Sequence, residues 1–219
     1  MAGQWSRLVV CVTVGVASSC AWPDREPRAR HVGFWFEPVA YESSRLGGAL
    51  TADELATIAR VARAELVGAF SGFNVAISDR RDAPYRVRVV QDLRDERMER
   101  DAWIAGEARA MSFGGVGAVN FLFLANGAMV YAPDGATRDE LIHAIGRGIG
   151  RAAAHELAHA LLPKADIHDT SDRRSYEYDS AARVEQYFGD MRWDVAAPLL
   201  QRRLGQARSD AGSLAPGTR

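Results

Sequence analysis

Apolar residues run in short, strand-like groups through the first half of the chain and in long helical stripes through the second. Residues 31–39, "HVGFWFEPV", are rich in β-branched and aromatic side chains and end near Pro38, which predicts a first strand. After the loop "YESSRLGG", Thr51 stands three residues before Glu54, the pattern of a capping box. Leu55, Ile58, Ala62, Leu66 and Phe70 then recur at helical spacing, so a helix is expected over about 52–70, ended by Gly72. "FNVAIS" (73–78) and "YRVRVV" (85–90) read as strands, the second alternating Tyr85, Val87 and Val89 with Arg86 and Arg88. Within 92–118 the charged run "DLRDERMERD" reads as a solvated loop or short helix ahead of a glycine-rich "SFGGVG". In "VNFLFLANGAMVYA" (119–132), Asn126-Gly127 sits between two apolar runs and predicts a hairpin with a type I′ turn.

A second capping box, Thr137 with Glu140, opens a longer stripe through Leu141, Ile145, Ile149, Ala152, Ala153 and Leu157. It predicts one helix over about 138–162, stopped by Pro163, which lacks an N–H and pushes the preceding residue out of the α region. Gly146, Gly148 and Gly150 lie inside it, each costing about 1 kcal/mol against alanine. Close packing of this helix against the sheet would explain them. "GRGIG" is not read as a phosphate loop, because no Lys-Ser/Thr follows and the helix begins upstream of it.

With 219 residues, 47% hydrophobic and 25% charged, the chain has enough apolar surface for one domain, expected over 32–204, with 205–219 as a flexible tail. The formal net charge of −1 comes from interspersed signs, leaving no one-signed field to attract nucleic acid. Residues 1–20 carry Arg7, an apolar run from Leu8 to Ala17 and small residues up to Cys20. That run is about ten residues, short of the roughly 20 of a spanning helix, and reads as an export signal. "ASSC" resembles a lipoprotein cleavage box, with Cys20 the lipidated residue that would hold the protein on a membrane. Ordinary cleavage near Ser19 or Ala21 is the other reading, giving a secreted protein. Residues 21–31, rich in proline and charge, form the expected tether. Both readings place the domain outside the cytoplasm.

The chemistry lies in "AAAHELAHALLPKADIHD" (152–169), which holds three of the five histidines. His155 and His159 are one helical turn apart, so both imidazoles project from one face and can share a metal ion. Glu156, about 100° around the helix, is placed to act as a general base on water at the ion rather than to ligate it. His168, beyond the proline, is the leading third ligand, since five residues at about 3.3 Å each give ample length to return to the helix end. Asp166 and Asp169 nearby, or Glu177 and Glu185 further along, are alternative donors. His31 and His143 are assigned no metal role.

With these residues the chain resembles a zincin-type zinc metallopeptidase, and more narrowly a metzincin. The resemblance implies an α+β fold: a twisted mixed β-sheet with an antiparallel edge strand, packed on a backing helix and a long active-site helix. It implies Zn²⁺ as cofactor, a peptide or protein substrate paired with the edge strand, here the hairpin at Asn126-Gly127, and hydrolysis of a peptide bond with Glu156 as base. The family's turn glycine after the second histidine is replaced by Leu162, and the methionine of the turn beneath its metal by Glu177 within "RSYEYDS". Tyr176 or Tyr178 would then assist at the oxyanion or pack beneath the metal. A non-catalytic zinc- or peptide-binding envelope lipoprotein is the alternative.

Overall fold

The structure, a computed structural model, describes residues 28–95, 102–111, 114–162 and 166–207. The export signal with Cys20, most of the tether, and Pro163 lie outside the described residues. In chain order the elements are β1 (Arg30–Phe36), β2 (Glu42–Ser43), β3 (Gly48–Ala49), α1 (Ala52–Ala69), β4 (Val75–Ser78), β5 (Tyr85–Val90), β6 (Arg94–Asp95), β7 (Ala102–Trp103), β8 (Gly106–Met111), β9 (Gly114–Asn120), α2 (Phe121–Tyr131), α3 (Arg138–Leu161), α4 (Glu185–Phe188) and α5 (Ala196–Leu204). Among the described residues, no helix is long and apolar enough to cross a membrane.

Five strands form one mixed sheet in the order β4-β1-β5-β9-β8. The first four run parallel, and β8 closes the edge antiparallel to β9, from Gly106 opposite Val119 to Met111 opposite Gly114. Parallel strands need both faces covered or one covered well, and the inward residues Val32, Phe34, Val87, Val89 and Val119 are almost fully buried. Helix α1 packs over β1, and α3 over β5, β9 and β8, with the two helices in extensive mutual contact. The class is α+β.

Both expected capping boxes are formed. Thr51 accepts from the Glu54 amide while Glu54 accepts from the Thr51 amide, and Thr137 and Glu140 repeat the exchange at α3. Arg138, the first residue of α3, bonds Glu54 at 2.6 Å and so ties the two helix starts together. That guanidinium, with the Thr51 amide, holds the Glu54 carboxyl down at about 2.

Two expectations are corrected here. Residues 121–131 form α2, not a hairpin at Asn126-Gly127. Its buried residues, Phe121, Leu124, Ala125, Ala128 and Met129, follow helical spacing, and the Asn120 side chain caps the start by accepting from the Phe123 amide at 3.0 Å. Gly127 is needed for contact rather than for a turn, because a Cβ there would stand 1.9 Å from the Tyr187 hydroxyl. The antiparallel edge lies instead at 106–120, in the stretch expected to begin as a solvated loop or short helix; β6, inside the charged run, pairs with β7 just after it, and 96–101 of the run lie outside the described residues.

The glycines of α3 are the second correction. They face helices, not the sheet: a Cβ on Gly146 would meet Val61 and the Ile58 carbonyl, on Gly150 the Ala62 carbonyl, and on Gly148 the Tyr187 ring. After α5 the chain returns to the far end of α1, where the Asn74 amide donates to Gly205 and the Ala207 amide to Gly72. Residues 205–207, the first three of the segment expected as tail, thus lie against residues 72–74.

Helix propensity alone would make Gly→Ala in α3 favourable by about 1 kcal/mol. Gly150→Ala is expected to lower the unfolding free energy by about 1–3 kcal/mol instead, because the new methyl would lie 2.4 Å from a backbone oxygen that cannot retreat. Gly68→Ala in α1, with open space around it, is expected to be neutral or to gain up to about 1 kcal/mol. Urea midpoints at constant m check both.

Candidate metal centre

The second half of α3 runs under β9 and β8 and delivers His155, Glu156 and His159 to a cleft of about 680 Å³. The Nε2 atoms of His155 and His159 face each other at 3.1 Å. Two nitrogens bound tetrahedrally at 2.0–2.1 Å from one zinc-sized ion would be about 3.3 Å apart, so the pair already has the spacing of a shared cation. The chain leaves α3 at Leu161, and fully buried Ile167 anchors the return, which sets His168 across from the pair. Ring centroids of the three histidines are 4.7, 4.9 and 5.1 Å apart, and one ligand nitrogen from each lies within 4.8 Å of the others. The expected trio therefore converges, while residues 163–165 between helix and return, with Pro163, lie outside the described residues.

Two of the three rings are aimed by backbone carbonyls. His155 Nδ1 is 2.7 Å from the Tyr176 oxygen, and His168 Nδ1 is 3.0 Å from the Glu177 oxygen. A carbonyl can only accept, so each Nδ1 donates to it, and Nε2 is the ring atom left to offer a lone pair to an ion. Burial, then the neighbouring His159, pushes the His155 pKa down to about 3, and burial also lowers that of His159. Neutral rings are what a metal requires.

The carbonyls at 176 and 177 belong to a turn pinned to the segment before α5: the Tyr176 amide donates to Arg192, and the Arg192 amide to Arg174. Glu177, weighed as a donor to the metal, does other work. Its fully buried carboxylate accepts from the Ser175 hydroxyl and from the amides of Asp194 and Ala196, so it is spent at the start of α5. Glu185 pairs with Arg173. Neither joins the three histidines, nor do Asp166 and Asp169; Asp166 accepts from the His168 amide. His143 is a turn from Asp139 on the partly exposed side of α3. Tyr176 turns its ring against Trp193, with centroids 4.8 Å apart, while the Tyr178 ring lies on the Arg183 guanidinium at 4.7 Å and borders the cleft.

Glu156 is 7% exposed and reaches toward the sheet edge, where a Cβ on Gly106 would stand 2.6 Å from its Oε1. Burial, and secondarily Glu107 on β8, push its carboxyl up to about 8. The same wall carries Gly106, Glu107 and Ala108 of β8, the outer strand of the sheet, and Ala105 just before it. A titratable group with a raised pKa, beside three converging imidazoles and along the edge strand of the sheet, gives the cleft the parts for metal-assisted proton transfer.

No protein-family model and no curated protein sequence matches this chain. The reading of the site therefore rests on its geometry. Several of its working parts had no sequence signal: the carbonyls of Tyr176 and Glu177 are invisible to side-chain patterns. Arg151 is another, buried in the cleft wall and bonded to Glu65 and to the Glu185 carbonyl. It lies one turn before His155 on the same helix face.

His168→Ala is expected to lose stoichiometric divalent metal while Asp169→Ala retains it, as measured by elemental analysis after dialysis against limiting Zn²⁺. In the metal-free protein, the raised Glu156 pKa binds a proton the unfolded chain has released. Its contribution is then full below about 4.5 and is lost as pH rises toward about 8. Glu156→Gln should accordingly flatten the decline of metal-free stability between pH 5 and 8, read from denaturant midpoints across that range.

Proposed function

We propose that this protein is a zinc-dependent peptide hydrolase of the zincin type, with His155, His159 and His168 holding the ion and Glu156 acting as general base. The observation that carries the reading is the pair of Nδ1–carbonyl bonds, which leave Nε2 lone pairs of His155 and His168 directed into a cleft beside a buried carboxylate. Three imidazole nitrogens without sulfur suit zinc in its catalytic rather than its structural setting, where a closed set of four ligands is the rule. Among the described residues no fourth histidine, cysteine or carboxylate joins the group. When bound, such an ion supplies a Lewis acid that acidifies water and polarises a carbonyl.

The chain's own residues supply the rest. Backbone N–H and C=O groups of β8 offer an extended peptide a strand to pair with, which orients the scissile bond across the helix without regard to most side chains. Glu156, buried against Gly106, takes a proton from the attacking water on its carboxylate and returns it to the leaving amine. Tyr176 and Glu177 act through their backbone oxygens, holding two imidazoles in the tautomer that can ligate. The leader and Cys20 of the sequence would put this activity outside the cytoplasm, on a membrane if the cysteine is lipidated.

Glu156→Gln keeps the shape of the base and removes its proton acceptor. It is expected to retain one equivalent of zinc and to lose peptide cleavage by about 10²–10⁴-fold. A peptide-library digest by wild type and variant, with metal content measured on the same samples, checks this; undiminished cleavage by the variant would reject the role of Glu156. Stoichiometric zinc in a wild type that cleaves nothing would favour a zinc- or peptide-binding envelope protein.

A further inference from the structure

Arg183 is 2% exposed, and among the described residues no carboxylate lies within ion-pair distance of it. Its Nη2 donates to the Ser175 carbonyl at 3.0 Å and to Gln186 Oε1 at 3.2 Å. Its flat face carries the Tyr178 ring. Nε and Nη1 are buried and have no hydrogen-bond partner among the described residues. A buried cation with unmet donors is costly, and such groups call for a reason beyond stability.

The reason lies in what Arg183 holds. Ser175 and Tyr178 are the two ends of a four-residue turn, and the two residues between them, Tyr176 and Glu177, are those whose carbonyls accept from His155 and His168. One guanidinium grips both ends, by a hydrogen bond at 175 and by stacking at 178. Gln186, bonded to the same Nη2, donates in turn to the Gly148 carbonyl at 3.0 Å, two helical turns before His155 on α3. The orienting turn is thereby referenced to the helix that carries two of the imidazoles. Arginine suits this task because its planar fork bonds in plane and stacks out of plane at once, which lysine cannot do.

We propose that Arg183 is a positioning residue for the metal centre: by clamping residues 175–178 it fixes the tautomers of His155 and His168 and so sets the affinity for the ion. The inference rests on the zinc reading for its affinity readout alone, since the tautomers exist in the metal-free protein too.

The test uses the full-length chain as wild type, Arg183→Met and Arg183→Lys. In the metal-free state, long-range ¹⁵N–¹H spectra of the histidine rings are expected to show Nδ1-protonated His155 and His168 in the wild type. A mixture of tautomers is expected in Arg183→Met, with a smaller admixture in Arg183→Lys. Zinc affinity, by chelator competition, is expected to fall by about 10–100-fold in Arg183→Met, the range typical of groups that orient ligands. The Co²⁺ visible spectrum should change with it. If Arg183→Met does not fold, the lysine variant decides by the same spectra. Wild-type tautomers in every folded variant would overturn the proposal. A wild type that shows the Nδ1-protonated rings yet binds no zinc would instead overturn the zinc reading, and the tautomers of the variants would still decide the role of Arg183.

Discussion

The burial of α3 between the sheet and α1 is the constraint on which the rest depends. From Leu141 to Leu161 nearly every residue of this helix is buried, including the ionisable Arg151 and Glu156. Such a helix cannot rotate or slide without breaking contacts on two sides at once. Gly146 and Gly150 bring its backbone close to the Ile58 and Ala62 carbonyls of α1, and Arg138 locks its start to Glu54. Its last two turns are therefore delivered to the cleft at a fixed height and angle. His155, Glu156 and His159 inherit that precision from packing that has nothing to do with metal.

Burial also sets the charge states. Enclosure disfavours any ionised form, so it pushes His155 down to about 3 and Glu156 up to about 8, although the two are neighbours on one helix. The like-signed neighbours act in the same sense, His159 on His155 and Glu107 on Glu156. A single physical cause thus yields imidazoles able to give lone pairs and a carboxyl able to exchange a proton near neutrality.

What the sequence made legible divides along the same line. The two capping boxes, α1 and α3 to within a residue, β5 and the helical pair of histidines could be read because each rests on local spacing. His168 could be named because chain length permitted its return, and the structure brings it there with Ile167 as anchor. Residues 121–131 misled because Asn126-Gly127 is a turn signal in isolation, while the contact that demands Gly127 comes from Tyr187, sixty residues later. The glycines of α3 were rightly ascribed to close packing but to the wrong neighbour, since periodicity says which face is bare and not what covers it. Glu177 was open as a ligand because a buried carboxylate and a metal donor look alike in sequence; only the amides of Asp194 and Ala196 tell them apart.

The edge strand and the helix meet at Gly106, and this joint explains why the cleft has its shape. Any side chain at 106 would displace Glu156, so the strand must present bare backbone where the carboxylate approaches. Gly117 on β9, the next strand inward, faces the Glu156 side chain less tightly, since a Cβ there would stand 3.4 Å from the Glu156 Cβ. Two glycines on adjacent strands thus open a gap in the sheet's inner face, and one glutamate fills it. The carboxylate is held from above by backbone and from below by its helix, one residue from the first imidazole. A group bound along β8 would pass directly over it, so strand pairing and proton transfer would occupy one wall of the cleft rather than two.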